Sequence, residues 1–248
     1  MARQKLGQHF LIKNSVLERI AAAACPDPAD LVIEIGPGRG ALTGRLLKRA
    51  ARVIAIEVDP VPAECLRRVF AGESRLEIVQ ADVLETDLAR FGRAVIAGNL
   101  PYYIASPILE KTVRLSPPRA VFLVQKEVAL RLAARPGERD YGFLTVRTAL
   151  FAKARRLFDV KPGAFRPPPK VDSAAVLLEP REPAPGMDDT EGLLRFMSQC
   201  FRQKRKTIRN NLAAIHGRDL VDSWPEAGLR AEQIPLEQFA EMYRRVVG

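Results

Sequence analysis

Two short stretches of this 248-residue chain combine residue types that could hold and present a nucleotide-like ligand. The first, Glu34-Ile35-Gly36-Pro37-Gly38-Arg39-Gly40, follows an apolar run and precedes a helical pattern. Glycines at such a turn let the backbone approach a ligand and place it at a helix N-terminus. The second, GNLPYYIAS at 98–106, ends another apolar run in an amide, a proline and two tyrosines. A plain strand-to-helix turn needs only a glycine or a capping residue. As a structural motif it would be a proline turn whose tyrosines pack on the core. As a chemical one it offers an amide acceptor beside an aromatic face.

The glycine turn satisfies a dinucleotide fingerprint loosely through Gly36, Gly38 and Ala41, and Glu57 follows 21 residues after Gly36, where an acidic side chain would hold ribose hydroxyls. A nicotinamide dehydrogenase is therefore one reading, although no hydride-transfer partner is evident downstream. S-adenosylmethionine is the other: it also carries a ribose and an adenine, but no diphosphate. Glu57 would then grip the ribose, Asp82 would accept from the adenine amino group, and the loop at Gly36 and Gly38 would pass under the amino-acid end.

These residues need a scaffold that brings them together. Candidate strands are 31–35, 52–57, 76–80, 94–97 and 120–124, alternating with helical patterns near 40–50, 60–70, 104–115 and 126–134. Strands this apolar, separated by helices, predict a parallel sheet covered on both faces. Their ends fall at or near Glu34, Glu57, Asp82, Asn99 and Gln125, and ligands of open α/β sheets sit outside the carboxyl ends of strands. Five polar ends are expected to form one binding rim. Beyond them, 143–153 reads as a helix, and 156–160 and 174–178 as strands. Three successive prolines in GAFRPPPKVDS (163–173) forbid both helix and central strand. The stretch 179–189 reads as a linker to a small helical tail, in which Leu193, Met197, Cys200 and Phe201 recur at helical spacing.

Composition narrows the class. Hydrophobic residues make up 47%, enough for a substantial core, and 39 Lys and Arg against 29 Asp and Glu leave a net charge of +10. That excess points to a polyanionic partner, nucleic acid first. Three scattered cysteines and two histidines offer neither a disulfide framework nor a metal centre, so no metal is expected. No apolar run approaches a membrane span and the N-terminus has no signal-peptide pattern, which leads to the expectation of a cytoplasmic protein with no membrane partner.

Six segments in order, LGQHFL (6–11), EIGPGRGALT (34–43), NLPYYI (99–104), QKEV (125–128), FRPPPKVDSA (165–174) and FRQKRKTIRNNL (201–212), resemble the rRNA adenine N6-dimethyltransferases over nearly the whole chain. They are most similar to the branch that modifies two adjacent adenosines near the 3′ end of small-subunit rRNA. The resemblance implies an α/β fold: a Rossmann-like, seven-stranded class I methyltransferase domain (1–183), then a small all-helical domain (184–248). It implies S-adenosylmethionine as cofactor, contacted at His9, Leu11, Gly36, Gly38, Glu57, Asp82 and Asn99. His9 could instead cap the helix that follows it.

For the reaction, the side-chain oxygen of Asn99 and the carbonyl of Leu100 would accept the hydrogens of the adenine amine. Pro101 would stiffen the turn, and Tyr102 and Phe165 would sandwich the base; as an alternative, Phe165 is a core phenylalanine. Tyr103 reads as local packing. Arg202, Lys204, Arg205, Lys206 and Arg209 would bind RNA, with Arg3, Lys5 and Lys170 extending the track. The expected partner is small-subunit rRNA within an assembling subunit, bound by a monomer. Two other classes stay open: a large-subunit rRNA methyltransferase conferring antibiotic resistance, and a mainly non-catalytic ribosome-assembly factor.

Overall fold

The computed structural model describes residues 9–182 and 189–248. Arg3, Lys5 and the expected domain boundary at 183/184 lie outside the described residues. The chain divides into two compact units, one built from residues up to Ala129 with Ala154–Pro180, the other from Leu130–Lys153 with Arg181–Gly248.

The first unit opens with β1 (Phe10–Leu11) and α1 (Asn14–Ala24), then runs β2 (Ala29–Ile35), the single turn α2 (Thr43–Leu46), β3 (Ala50–Glu57), α3 (Pro60–Val69), β4 (Leu76–Gln80) and β5 (Val95–Asn99). It continues through α4 (Ala105–Leu115), β6 (Ala120–Gln125) and α5 (Lys126–Ala133), which leads into the second unit. After α6 (Phe143–Ala149), strands β7 (Ala152–Val160), β8 (Phe165–Arg166) and β9 (Ser173–Pro180) complete it. Seven strands form one sheet in the order β4-β3-β2-β5-β6-β9-β7, and β1 pairs antiparallel with β8 in a separate two-stranded ribbon. Strands β2 to β6 run parallel, and β9 lies antiparallel to β6. Strand order reverses at β2, which is flanked by β3 on one side and β5 on the other. This is the switch point at which a doubly wound sheet opens a crevice.

Sequence dictates these elements in simple ways. Val32, Ile33 and Ile35 of β2 and Val53, Ile54 and Ile56 of β3 are all buried, as strands covered on both faces require. Fully burying each such side chain contributes about 1.5–3 kcal/mol. Helix α1 buries Val16, Leu17, Ile20, Ala21 and Ala24, spaced to line one helical face. Helix α3 starts on Pro60, with the Asp59 side chain accepting from the Val61 N–H. The parallel register sets Ile35 opposite Gly98, and a Cβ on Gly98 would stand 2.3 Å from the Ile35 carbonyl oxygen. Only glycine permits that approach.

Three expectations differ from the structure. The helix expected over 40–50 is reduced to the single turn α2; on its N-terminal side Gly40 (φ +85°) adopts left-handed backbone that a helix cannot include. Helix α6 stops at Ala149 and a strand begins at Ala152, so 143–153 is not one helix. Residues 130–151, ahead of β7, do not belong with the sheet: Tyr141, Val146 and Leu150 pack into the core of the second unit.

That unit comprises α6, α7 (Thr190–Cys200), α8 (Ile208–His216), α9 (Arg218–Asp222) and α10 (Leu236–Val247). Its core joins Leu193, Phe196, Met197 and Cys200 of α7 to Ile208, Leu212, Trp224, Phe239 and Met242. The buried Asn211 amide donates to the Cys200 carbonyl, and the Tyr141 hydroxyl donates to the Ile234 carbonyl at 2.7 Å. Among the described residues, no helix is long and apolar enough to cross a membrane.

Candidate functional site

A cavity of about 730 Å³ opens at the carboxyl ends of β2, β3 and β5, beside the switch point. Its floor begins with the glycine turn. Gly36 (φ +67°) and Gly38 (φ +57°) adopt left-handed backbone, and a Cβ on Gly38 would meet the Phe10 ring at 3.0 Å. Phe10 can approach the turn this closely only because Gly38 has no side chain.

Glu57 ends β3 with its carboxylate held from two sides. The Gly38 N–H donates to Oε2 at 3.1 Å and the Asp59 N–H to Oε1 at 3.0 Å. Burial pushes the Glu57 carboxyl above its ordinary range, and these backbone donors pull it back. Each oxygen keeps acceptor capacity for a hydroxyl. Asp82, just past β4, accepts from the Leu84 N–H at 2.8 Å through Oδ1. At the end of β5 the Asn99 amide nitrogen donates to the His9 carbonyl at 2.9 Å. That bond fixes which way the amide points and leaves Oδ1 as the acceptor.

The N-terminal segment supplies the rest of the wall. The His9 ring contacts the Pro167 carbonyl at 2.8 Å through Nδ1, which must carry the proton because a carbonyl only accepts. Its ring lies 5.8 Å from that of Tyr102, whose hydroxyl meets the Ser173 Oγ at 2.6 Å. Burial raises the Tyr102 hydroxyl above its ordinary value. Helix α1 carries no side-chain cap, so His9 does not cap it.

Of the residues singled out by sequence, His9, Leu11, Gly36, Gly38, Glu57, Asp82, Asn99, Leu100, Pro101 and Tyr102 all line this cavity. Two expectations are corrected. Phe165 is 2% exposed and packs in the core under β1 and α1, away from the cavity; the pleat of β8 turns Phe165 inward and Arg166 outward. Gln125, at the end of β6 next to the antiparallel β9, does not line the cavity, so four polar strand ends converge where five were expected. Tyr103 is not packed: it is 61% exposed and lines the opening. In the second unit Arg202, Lys204, Arg205, Lys206 and Arg209 are all exposed. Arg209 is paired with Asp222 at 2.6 Å, and Lys204 donates to the Arg139 carbonyl at 3.2 Å.

Two cavity features escaped the sequence. Glu34 is 1% exposed, accepts from the Thr43 hydroxyl at 2.5 Å, and has its carboxyl pushed up to about 8, mainly by burial. The position of Glu34 at a strand end was visible, but its complete burial needs the third dimension. Arg166 and Pro167 form the outer lip, a placement that follows from the short ribbon of β1 and β8.

The donor set and the sheet order together bear on the two ligand readings. Carboxyl groups at Glu57 and Asp82 suit hydroxyls and an amine, and the apolar Val58, Val83 and Ile108 suit a flat base between them. The sheet bears on the choice as well: antiparallel β9 is inserted beside β6, a departure from the parallel sheet of a dinucleotide-binding fold. The residues fit S-adenosylmethionine. Sheet order and site together define a Rossmann-like methyltransferase.

Comparison with known proteins narrows this class. The family model described as ribosomal RNA adenine dimethylase matches residues 1–246. The chain is 42% identical over 257 residues to the ribosomal RNA small subunit methyltransferase A of Acidobacterium capsulatum, covering 98% of this chain and 90% of that one. It is 39% identical to the protein of the same name in Geobacter metallireducens, covering 99% and 96%. Among solved structures, a dimethyladenosine transferase from Plasmodium falciparum superposes with a TM-score of 0.81 at 26% identity, covering 94% and 96%. The 23S rRNA methyltransferase ErmE gives a TM-score of 0.74 at 28% identity, covering 96% and 100%. This chain belongs to the ribosomal RNA adenine dimethylase family, whose members use S-adenosylmethionine.

Proposed function

We propose that this protein transfers methyl groups from S-adenosylmethionine to the N6 amines of two adjacent adenosines near the 3′ end of small-subunit rRNA, dimethylating each. The observation that carries the reading is the Asn99 amide, locked by the His9 carbonyl in a cavity shared with Glu57, Asp82 and the glycine turn. The substrate follows from the names of the relatives at 38–42% identity, against 28% for the large-subunit enzyme ErmE. We place the reaction in the cytoplasm, on an assembling subunit, and assign it to a monomer.

Bound S-adenosylmethionine supplies an electrophilic methyl group on a sulfonium. The chain's own residues hold and aim the reactants. Glu57 would accept from the ribose hydroxyls and Asp82 from the adenine amine of the cofactor, while Leu11, Gly36 and Gly38 would border its amino-acid end.

Adenine N6 is a weak nucleophile because its lone pair is delocalised into the ring. Asn99 Oδ1 and the Leu100 carbonyl accept its hydrogens, which favours a more tetrahedral nitrogen and aligns the lone pair. Leu100 is held in place by its N–H bond to the Leu123 carbonyl at 3.0 Å. Pro101 restricts the turn and has no N–H of its own to compete. Tyr102, tethered to Ser173, offers a face for the unstacked base, a contact of about 1–3 kcal/mol. Exposed Arg202, Lys204, Arg205 and Lys206 give the second unit a cationic face for RNA phosphates, with Arg209 shared with Asp222.

The test is mass spectrometry of rRNA after incubating the protein with a labelled methyl donor and unmethylated small subunits. Two neighbouring dimethyladenosines near the 3′ end are expected. Label in large-subunit rRNA alone would favour the resistance-type reading. Binding without label from the wild-type protein would favour a purely assembly role.

A further inference from the structure

The ribbon of β1 and β8 does more than close the cavity. Its register sets Phe10 opposite Arg166 and Leu11 opposite Phe165. Directly opposed residues of an antiparallel pair point to the same side, with Cβ atoms about 4.5–5.5 Å apart. Leu11 and Phe165 therefore share the core face, where both are buried, and Phe10 shares the outer face with Arg166. Arg39, from the glycine turn, lies over the Phe10 ring at 4.8 Å. Arg39, Phe10 and Arg166 thus stand side by side, and all three line the cavity.

Both arginines are exposed, and neither has a carboxylate partner among the described residues. Other arginines of the same unit, among them Arg45, Arg52, Arg75 and Arg119, are paired with acidic side chains; what sets Arg39 and Arg166 apart is their place together beside Phe10 in the cavity lining. A guanidinium lying over an aromatic ring keeps its N–H edge available, and that edge matches two oxygens of one phosphate. When a base enters the cavity, its own backbone phosphates must remain at the mouth.

We propose that Arg39 and Arg166, flanking Phe10, grip the RNA phosphate beside the adenosine whose base enters the cavity, so that they position the target nucleotide. This rests on the methyl-transfer reading above. The carboxylate of the cofactor is the other source of anionic oxygens in the site. The exposure of both guanidiniums at the mouth favours the phosphate.

The experiment uses the full chain and unmethylated small subunits. Arg166→Gln, Arg39→Gln, the double variant and Arg166→Lys are assayed for methyl transfer across a salt series. Cofactor affinity is measured on each by calorimetry. For each Gln variant KM for the particle should rise about tenfold, as expected on losing one charge-assisted hydrogen bond. The slope of log KM against log salt should become shallower by about 0.7–0.9 for each phosphate no longer neutralised, with cofactor Kd held within about twofold. Arg166→Lys should restore the salt slope and only part of KM, because an ammonium cannot form the paired bonds.

Unchanged KM and slope in the double variant would overturn the proposal. So would weakened cofactor binding with an unchanged slope, which would assign the arginines to the cofactor carboxylate. A wild-type protein that methylates no small-subunit rRNA defeats the functional reading as well; an active wild type with indifferent variants defeats only the arginine assignment.

Discussion

Replacing Glu34 with glutamine should stabilise the sheet-bearing unit at neutral and alkaline pH, although it removes an acidic residue that lines the site. Glu34 is 1% exposed, and burial, opposed by the Thr43 hydrogen bond and reinforced by the Glu57 charge, lifts its carboxyl from 4.5 to about 8. Below about pH 4.5 the folded and unfolded chains both hold this proton, and its contribution to stability is fully present. Between 4.5 and 8 the unfolded carboxyl ionises while the folded one stays neutral, so stability drains away at about 1.4 kcal/mol per pH unit. By pH 7 the loss is on the order of 3 kcal/mol. The Glu34→Gln side chain would carry no charge in either state, and its amide oxygen can still accept from Thr43. The variant should match the wild type near pH 4.5 and exceed it increasingly up to pH 8. Urea melts followed by far-UV circular dichroism report the sheet, while fluorescence of Trp224, the single tryptophan, reports the helical unit. Parallel stability curves for the two proteins from pH 4.5 to 8 would show that Glu34 is ionised in the fold and would refute the reasoning.

Four further outcomes are expected. Asn99→Ala should lower kcat by about 10²–10³, the usual cost of one preorganised transition-state contact, while calorimetry finds S-adenosylmethionine binding largely intact; near wild-type turnover would remove Asn99 from the chemistry. Phe165→Ala should cost about 3–5 kcal/mol of stability in a denaturant melt, since it hollows the core that α1 and β9 share, and the surviving folded fraction should retain its specific activity. Gly98→Ala should destabilise the sheet and impair cofactor binding together, because its Cβ would stand 2.3 Å from the Ile35 carbonyl and push the strand that carries Asn99; a stable, fully active variant would contradict the register. Changing Lys206 and Arg205 to Gln should weaken affinity for small-subunit particles and flatten its salt dependence in filter-binding assays, with no effect on the cofactor.

The centre of the sheet was legible because β2, β3, β5 and β6 are largely buried and so read as continuous apolar runs, and the polar residue at or near the end of a run marked the rim. What could not be read were features that depend on neighbours distant in the chain. Helix α1 follows its own apolar spacing but has no capping side chain at Lys13 to announce it. Tyr141, Val146 and Leu150 sit in the helical core although 130–151 is flanked on both sides by sheet segments, and local periodicity says nothing about which core an element joins. Gln125 resembled the other strand ends, yet β6 lies one strand further from the switch point than β5, beside the antiparallel β9, and Gln125 does not line the cavity.

Phe165 shows most clearly where sequence reasoning stops. An aromatic residue before a proline run beside an adenine site invites a stacking role, and composition cannot distinguish it from its neighbour. Register does. Once Leu11 pairs with Phe165, the pleat commits Phe165 to the core and passes the outer face to Arg166. A one-residue slip of the ribbon would exchange them, exposing a phenylalanine at the mouth and burying an unpaired guanidinium, at a cost of several kcal/mol. The contrast between Phe165 and Arg166 therefore fixes which of the two stands at the cavity mouth. Under the proposed function the base would have Tyr102 as its aromatic partner, and the positive charge at the lip is a consequence of packing at the neighbouring position.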